Sequence, residues 1–185
     1  MITETKDNRQ IFLRKLKSND FADLFDYLQN LSAETKTRFG PHKFDKQSII
    51  DFYKYPDAHW GYVAHDTETK EIIAYSIIKI GCLEKDITRL QSYGMTLDNR
   101  TDCTFAPSVA DLWQGVGIGN MLFHFILSDL KTKEIKRVIL WGGVQMDNDK
   151  AVNYYKRNNF KTLGQFIHNG ENYDMALNIS QIHSS

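Results

Sequence analysis

Between Asp111 and Leu130 the chain reads DLWQGVGIGNMLFHFILSDL, and no other stretch limits the possible folds as much. Glycines at 115, 117 and 119 stand at the entrance to a run in which Ile118, Met121, Leu122, Phe125, Ile126 and Leu130 recur at helical spacing. Glycine costs a helix about 1 kcal/mol relative to alanine, so three of them at a helix entrance must serve a turn or a ligand. Upstream, CTFAPSV (103–109) reads as a strand in which Pro107 predicts a splay, bulge or edge. Downstream, RVILWGGV (137–144) reads as a short apolar strand. Strand, glycine-rich turn, helix and strand in that order point to an α/β sheet protein.

The flanking sequence extends the alternation. RQIFLRKL (9–16) reads as a first strand, and SNDFADLFDYLQNL (18–31) as a helix capped by Ser18, with Phe21, Leu24, Phe25 and Leu28 on one face. A short helix capped by Ser32 and ending at Gly40 follows, then a helix over 45–55 stopped before Pro56. HWGYVAH and KEIIAYSIIKI flank the polar DTETK and predict a β-hairpin. Residues 82–101 have no clear period and read as an insertion near a binding cleft. NDKAVNYYKRN (148–158) reads as a helix, and FKTLGQFI and NYDMALNI as a closing hairpin around HNGE. With no internal repeat or linker, 1–185 is expected to be a single domain.

Lys plus Arg equals Asp plus Glu at 23 each, which gives no bulk field for nucleic acid or an anionic membrane. Neither class of partner is expected. Cys82 and Cys103 lack paired metal spacing, so no metal is expected, and both thiols should be reduced and buried. No secretory signal or apolar run of membrane-spanning length is present, and cytoplasmic residence is the default expectation.

The glycines permit unusual backbone angles and let a ligand approach the main chain, while a helix N-terminus favours anions such as phosphate. The other reading of such a turn is tight helix packing. No Lys followed by Ser or Thr comes after the glycines, so the nucleoside-triphosphate P-loop pattern fails. The dinucleotide fingerprint lacks its further glycine and its place near a first βα turn.

What fits is Gln114-x-x-Gly117-x-Gly119, followed in register by NDKAVNYYKRNNF through Asn148, Ala151, Tyr155 and Phe160. On these two motifs the chain resembles the GNAT superfamily of N-acetyltransferases. The resemblance implies a mixed, mostly antiparallel sheet of about six to seven strands, splayed between the fourth and fifth and flanked by about four helices. Those two strands would be 103–109 and 137–144. It also implies acetyl-CoA as co-substrate, with the main chain of Pro107, Ser108 and Val109 pairing with pantetheine. Gln114, Gly115, Val116, Gly117, Ile118, Gly119 and Asn120 would form the diphosphate turn, with Gln114 shaping it. Asn148 would either bond the pantetheine arm or cap its helix.

By the same resemblance Tyr155 is the general acid that meets the departing thiolate, unless it is a core aromatic; Tyr154 beside it is out of register. Family members often carry a glutamate base on the fourth or fifth strand, and the matching positions here are Cys103 and Gly143. Asp102 and Asp111 are the substitutes within reach, or else ordinary strand-end and turn carboxylates. His124 is read as a helical surface or packing residue. The acceptor would be a primary amine of a small molecule or a protein, with Arg38, Trp60 and Tyr93 as candidates to line its wall. A homodimer is open, and a non-catalytic acyl-CoA sensor is the competing function.

Overall fold

The computed structural model describes Met1–Gln181. Its strands are β1 (Ile2–Glu4), β2 (Gln10–Lys15), β3 (His59–Asp66), β4 (Ile72–Ile80), β5 (Asp102–Val109), β6 (Arg137–Leu140), β7 (Val144–Gln145), β8 (Lys161–Ile167) and β9 (Glu171–Asn178). The helices are α1 (Phe21–Asn30), α2 (Ala33–Arg38), α3 (Lys46–Phe52), α4 (Glu84–Ser92), α5 (Ile118–Thr132) and α6 (Asp149–Arg157). The strands form one mixed sheet in the order β1-β2-β3-β4-β5-β6-β9-β7, with β8 also paired to β9. Parallel pairing joins β5 to β6, whereas β1–β2, β2–β3, β6–β9, β7–β9 and β8–β9 are antiparallel.

The fold class is as expected, with nine strands in place of six to seven and six helices in place of four among the described residues. Both additional strands are short. β1 precedes the expected first strand, and β7 is split from β6 by Trp141, Gly142 and Gly143, the two glycines having φ of 65° and 76°. A left-handed pair cannot continue a ladder, so the strand expected at 137–144 breaks there.

The chain folds as two compact units, Met1–Ile78 with Ala106–Ile126, and Lys79–Phe105 with Leu127 onward; it passes from one to the other inside β4, β5 and α5. The expected domain 1–185 includes residues 182–185, which lie outside those described.

In the first unit β2 alternates, with Ile11 and Leu13 buried and Phe12 turned outward, as a strand with one covered face must. β3 and β4 are buried along most of their length, so both their faces are covered. α1 buries Leu24, Tyr27 and Leu28, and α5 buries Ile118, Leu122, Phe123 and Ile126. Ser32 and Asp45 cap α2 and α3 by accepting the amides of Thr35 and Ser48. Ser18, expected as a cap, instead starts a 3-10 turn that leads into α1.

In the second unit the expected insertion at 82–101 is a structural element. α4 places Leu90 in a cluster with Cys82, Ile139 and Ala176, against which Ile87, Tyr93, Met95, Leu97 and Leu163 pack. Arg89 reaches from α4 to β9, donating through Nε and Nη2 to the two oxygens of Asp174 at 2.7 and 3.1 Å.

Candidate functional site

In the first unit β5 delivers its last residues to a 3-10 turn, Asp111–Trp113, and then to the glycines. Gly115 and Gly117 have φ of 85° and 97°, which L side chains rarely adopt. A Cβ on Gly115 would meet nothing within 4 Å, and one on Gly117 would make only ordinary contacts, so backbone conformation rather than crowding requires glycine here. Gln114 and Gly115 are exposed, and Val116 and Gly117 are half-buried. Ile118 is buried and starts α5, whose first-turn amides, including those of Gly119 and Asn120, lie where the helix dipole is positive. These features fit a diphosphate.

Gln114 donates through Nε2 to the carbonyl of Val109 at 3.3 Å, tying the turn to the end of β5. Ser108 turns its side chain inward, where its hydroxyl donates to the carbonyl of Tyr75 (3.2 Å) and accepts from Tyr27 (2.9 Å). Only its backbone is therefore available to a ligand.

The two sides of β5 are told apart by its bonds. The carbonyl of Phe105 accepts from Trp141, and the amide of Ala110 donates to Ile73. Because bonding sides alternate along a strand, Pro107 and Val109 share the side of Phe105. The β5–β6 register runs from Asp102↔Arg137 to Phe105↔Leu140, and Pro107 comes after its last pair. Its missing N–H thus falls where that ladder has stopped.

Asp111 is not placed as a base. Its carboxylate accepts from the amide and hydroxyl of Ser32 (2.9 and 2.8 Å) and from the hydroxyl of Thr35 (2.7 Å), binding the turn to the start of α2. Desolvation pushes its pKa up, but these hydrogen bonds outweigh that and hold it low. His124 lies exposed on α5. Arg38 pairs with Glu34 at 2.8 Å, and Trp60 is half-buried near the Lys15 ammonium.

The first unit also holds residues that the sequence did not single out. The β1–β2 hairpin reaches the glycine turn: the Lys6 amide donates to the Val116 carbonyl at 3.1 Å, and the Arg9 guanidinium lies 3.4 Å from the centre of the Trp113 ring. Elsewhere Tyr75, fully buried on β4, shares its hydroxyl with Tyr53 and with Nε2 of His42. Neither group is visible in one dimension, since each joins residues far apart in the chain.

In the second unit Asn148 is the N-cap of α6, its Oδ1 accepting the Ala151 amide at 3.2 Å. Capping uses one lone pair of the oxygen and does not engage the amide nitrogen. α6 buries Val152 and Tyr155; the Tyr155 ring packs edge-on against Tyr154 and Phe160, with centroids 5.1 and 5.3 Å away. Burial pushes both the Tyr155 and the Tyr154 phenols up, so both hold their protons at neutral pH. Tyr93 lies against Gly164 and donates to the carbonyl of Gln165.

The candidate base positions of this unit are closed. Asp102 is 2% exposed, and its oxygens accept from Arg137 Nε (2.9 Å), Arg137 Nη2 (2.6 Å) and the Asp98 amide (2.8 Å). Both oxygens of Asp102 are thus held by Arg137 and the Asp98 amide, in a buried ion pair. Burial raises the thiol pKa of Cys103 and pushes that of Cys82 up to about 11. A Cβ on Gly143 would lie 2.7 Å from both Phe166 Cε1 and the Tyr173 carbonyl oxygen, so no side chain fits there.

Comparisons with known proteins bear on the family and the fold. The family model described as the acetyltransferase (GNAT) family matches residues 25–160. No curated protein matches the chain in sequence. Solved structures share its fold. The GNAT domain of S. lividans PAT is 18% identical with a TM-score of 0.74, over 96% of each chain. An acetyltransferase of the GNAT family from Streptococcus pneumoniae is 20% identical with a TM-score of 0.65, over 91% of this chain and 99% of its own. Spermidine N-acetyltransferase from Vibrio cholerae, in complex with CoA and spermine, is 21% identical with a TM-score of 0.65, over 92% and 96%.

Proposed function

Because the chain belongs to the acetyltransferase (GNAT) family, we propose that it is an acetyl-CoA-dependent N-acetyltransferase acting on a primary amine of a small molecule or protein, with 1–185 as one domain. The observation that carries this reading is the left-handed turn at Gly115 and Gly117, set between β5 and the start of α5. Amides of Gly115 to Asn120 receive the diphosphate of the co-substrate. Main-chain groups of Pro107 to Val109 receive its pantetheine arm as a short added strand, the Pro107 carbonyl accepting and the Val109 amide donating.

Acetyl transfer joins the amine nitrogen to the thioester carbon, breaks the carbon–sulfur bond and leaves a thiolate; the amine loses a proton. Tyr155, assigned from its motif position, donates a hydrogen bond to the departing sulfur. A thiol has a pKa of about 8.5, below that of a buried phenol, so Tyr155 stabilises the thiolate while keeping its own proton. No carboxylate is available at Asp102 or Gly143, so the proton leaves by water and the rate comes from orientation. The spermidine N-acetyltransferase among the structural neighbours supports an amine acceptor. Among the described residues no helix is long and apolar enough to cross a membrane; we place the protein in the cytoplasm, where its buried thiols stay reduced.

The closed base positions also favour a second reading, a non-catalytic acyl-CoA sensor. Titration calorimetry with acetyl-CoA, followed by a thiol-release assay over an amine panel, separates the two. Binding with release on at least one amine is expected; binding with release on none supports the sensor, and no binding rejects both.

A further inference from the structure

The glycine turn has the geometry to hold a diphosphate but no cationic side chain of its own. No Lys or Arg occurs from Asp102 to Leu130, and Asp111 adds a negative charge. A cation must reach a bound diphosphate from elsewhere if it is to gain a charge-assisted hydrogen bond. The β1–β2 hairpin supplies one. Its Lys6 amide donates to Val116, and a Cβ on Gly117 would lie 3.7 Å from both Cγ and Cε of Lys6, so the side chain runs across the turn.

Lys6 itself is exposed, and among the described residues no carboxylate pairs with it. The adjacent Asp7 is engaged by Arg9, at 2.9 Å from Nε and 2.7 Å from Nη2, and by the Thr5 hydroxyl. Arg9 is in turn laid on Trp113 and holds the hairpin tip in place. Two basic residues of one hairpin therefore differ in role: Arg9 is spent on structure, and Lys6 is directed at the turn.

We infer that Lys6 binds the diphosphate of the co-substrate and is the cation of the glycine turn. The inference rests on the acetyl-CoA reading and adds to it a residue outside both motifs. In binding, the ammonium forms one charge-assisted hydrogen bond to a phosphate oxygen, and the exposed four-carbon stem loses freedom.

The test is calorimetric titration of the full chain, wild type, Lys6→Ala and Lys6→Arg, with CoA and with 3′-dephospho-CoA, at two salt concentrations. Lys6→Ala is expected to weaken both ligands about tenfold, with a shallower salt dependence, and Lys6→Arg to restore most of the loss. In turnover KM for acetyl-CoA rises and kcat holds. Unchanged affinity in Lys6→Ala overturns the inference while leaving the acetyl-CoA reading intact. A loss for CoA with none for 3′-dephospho-CoA also overturns it, since the cation would then read the 3′-phosphate. A wild type that binds neither ligand removes the acetyl-CoA reading, and this inference with it.

Discussion

Gly142 and Gly143 form a matched pair for measuring why no carboxylate stands at the end of β6. Both are left-handed, with φ of 65° and 76°, but a Cβ on Gly142 meets nothing within 4 Å, whereas one on Gly143 lies 2.7 Å from Phe166 Cε1 and from the Tyr173 carbonyl oxygen. A left-handed L residue costs about 1–2 kcal/mol, and replacing glycine recovers about 0.4–1 kcal/mol by restricting the unfolded chain. Gly142→Ala should therefore destabilise by about 1 kcal/mol. Gly143→Ala carries the same backbone term plus about 1–3 kcal/mol of overpacking, since a backbone oxygen cannot swing aside, for a total of about 2–4 kcal/mol. For a chain of this size that corresponds to a Tm drop of about 2–4 °C for the first and about 5–15 °C for the second. Urea and thermal unfolding followed by circular dichroism measure both. Equal losses, or a larger one for Gly142→Ala, would refute the steric argument.

Asp102→Asn should cost about 3 kcal/mol by leaving the Arg137 guanidinium without its buried counter-charge, seen as a lower urea midpoint. A variant as stable as wild type but without turnover would restore Asp102 as the base. Tyr155→Phe should lower kcat with little change in the Kd of acetyl-CoA, and an unchanged kcat removes the phenol from the chemistry. Gly117→Val should weaken co-substrate binding because its φ of 97° excludes a branched side chain; a folded variant of undiminished affinity contradicts the placement of the diphosphate. For Asp20, desolvation would raise the pKa, but hydrogen bonds from Arg14 and the Lys17 amide win and set it below its ordinary 3.8. A depressed carboxylate contributes fully above its unfolded value and loses that contribution as pH falls through the folded one. Wild-type stability should therefore fall more steeply than that of Asp20→Asn on acidification below about pH 4, and parallel curves would reject the linkage.

Local chemistry explains what could be read in one dimension. Ser32 is a helix cap because its hydroxyl acts three residues away, and the Gln114-x-x-Gly117-x-Gly119 turn is visible because its backbone angles demand glycine at fixed spacing. The segment 82–101 was opaque because α4 is a polar helix that buries little beyond Asp86 and Leu90, too few to mark a period. The break at Gly142 and Gly143 was hidden in an apolar run that scores as one strand. Asp102 looked like a spare carboxylate because its partner Arg137 lies 35 residues on, and Lys6 looked like a surface lysine because the turn it meets is more than a hundred residues away.

Pro107 has a consequence for what can lie beside β5. A polypeptide docking there would find a rung without a hydrogen to offer, which weakens its pairing along the strand. A guest with a single peptide-like linkage needs one carbonyl and one amide, and Pro107 and Val109 have those to give. On the proposed reading the imino acid disfavours a docked polypeptide while leaving a short tether one carbonyl and a neighbouring amide.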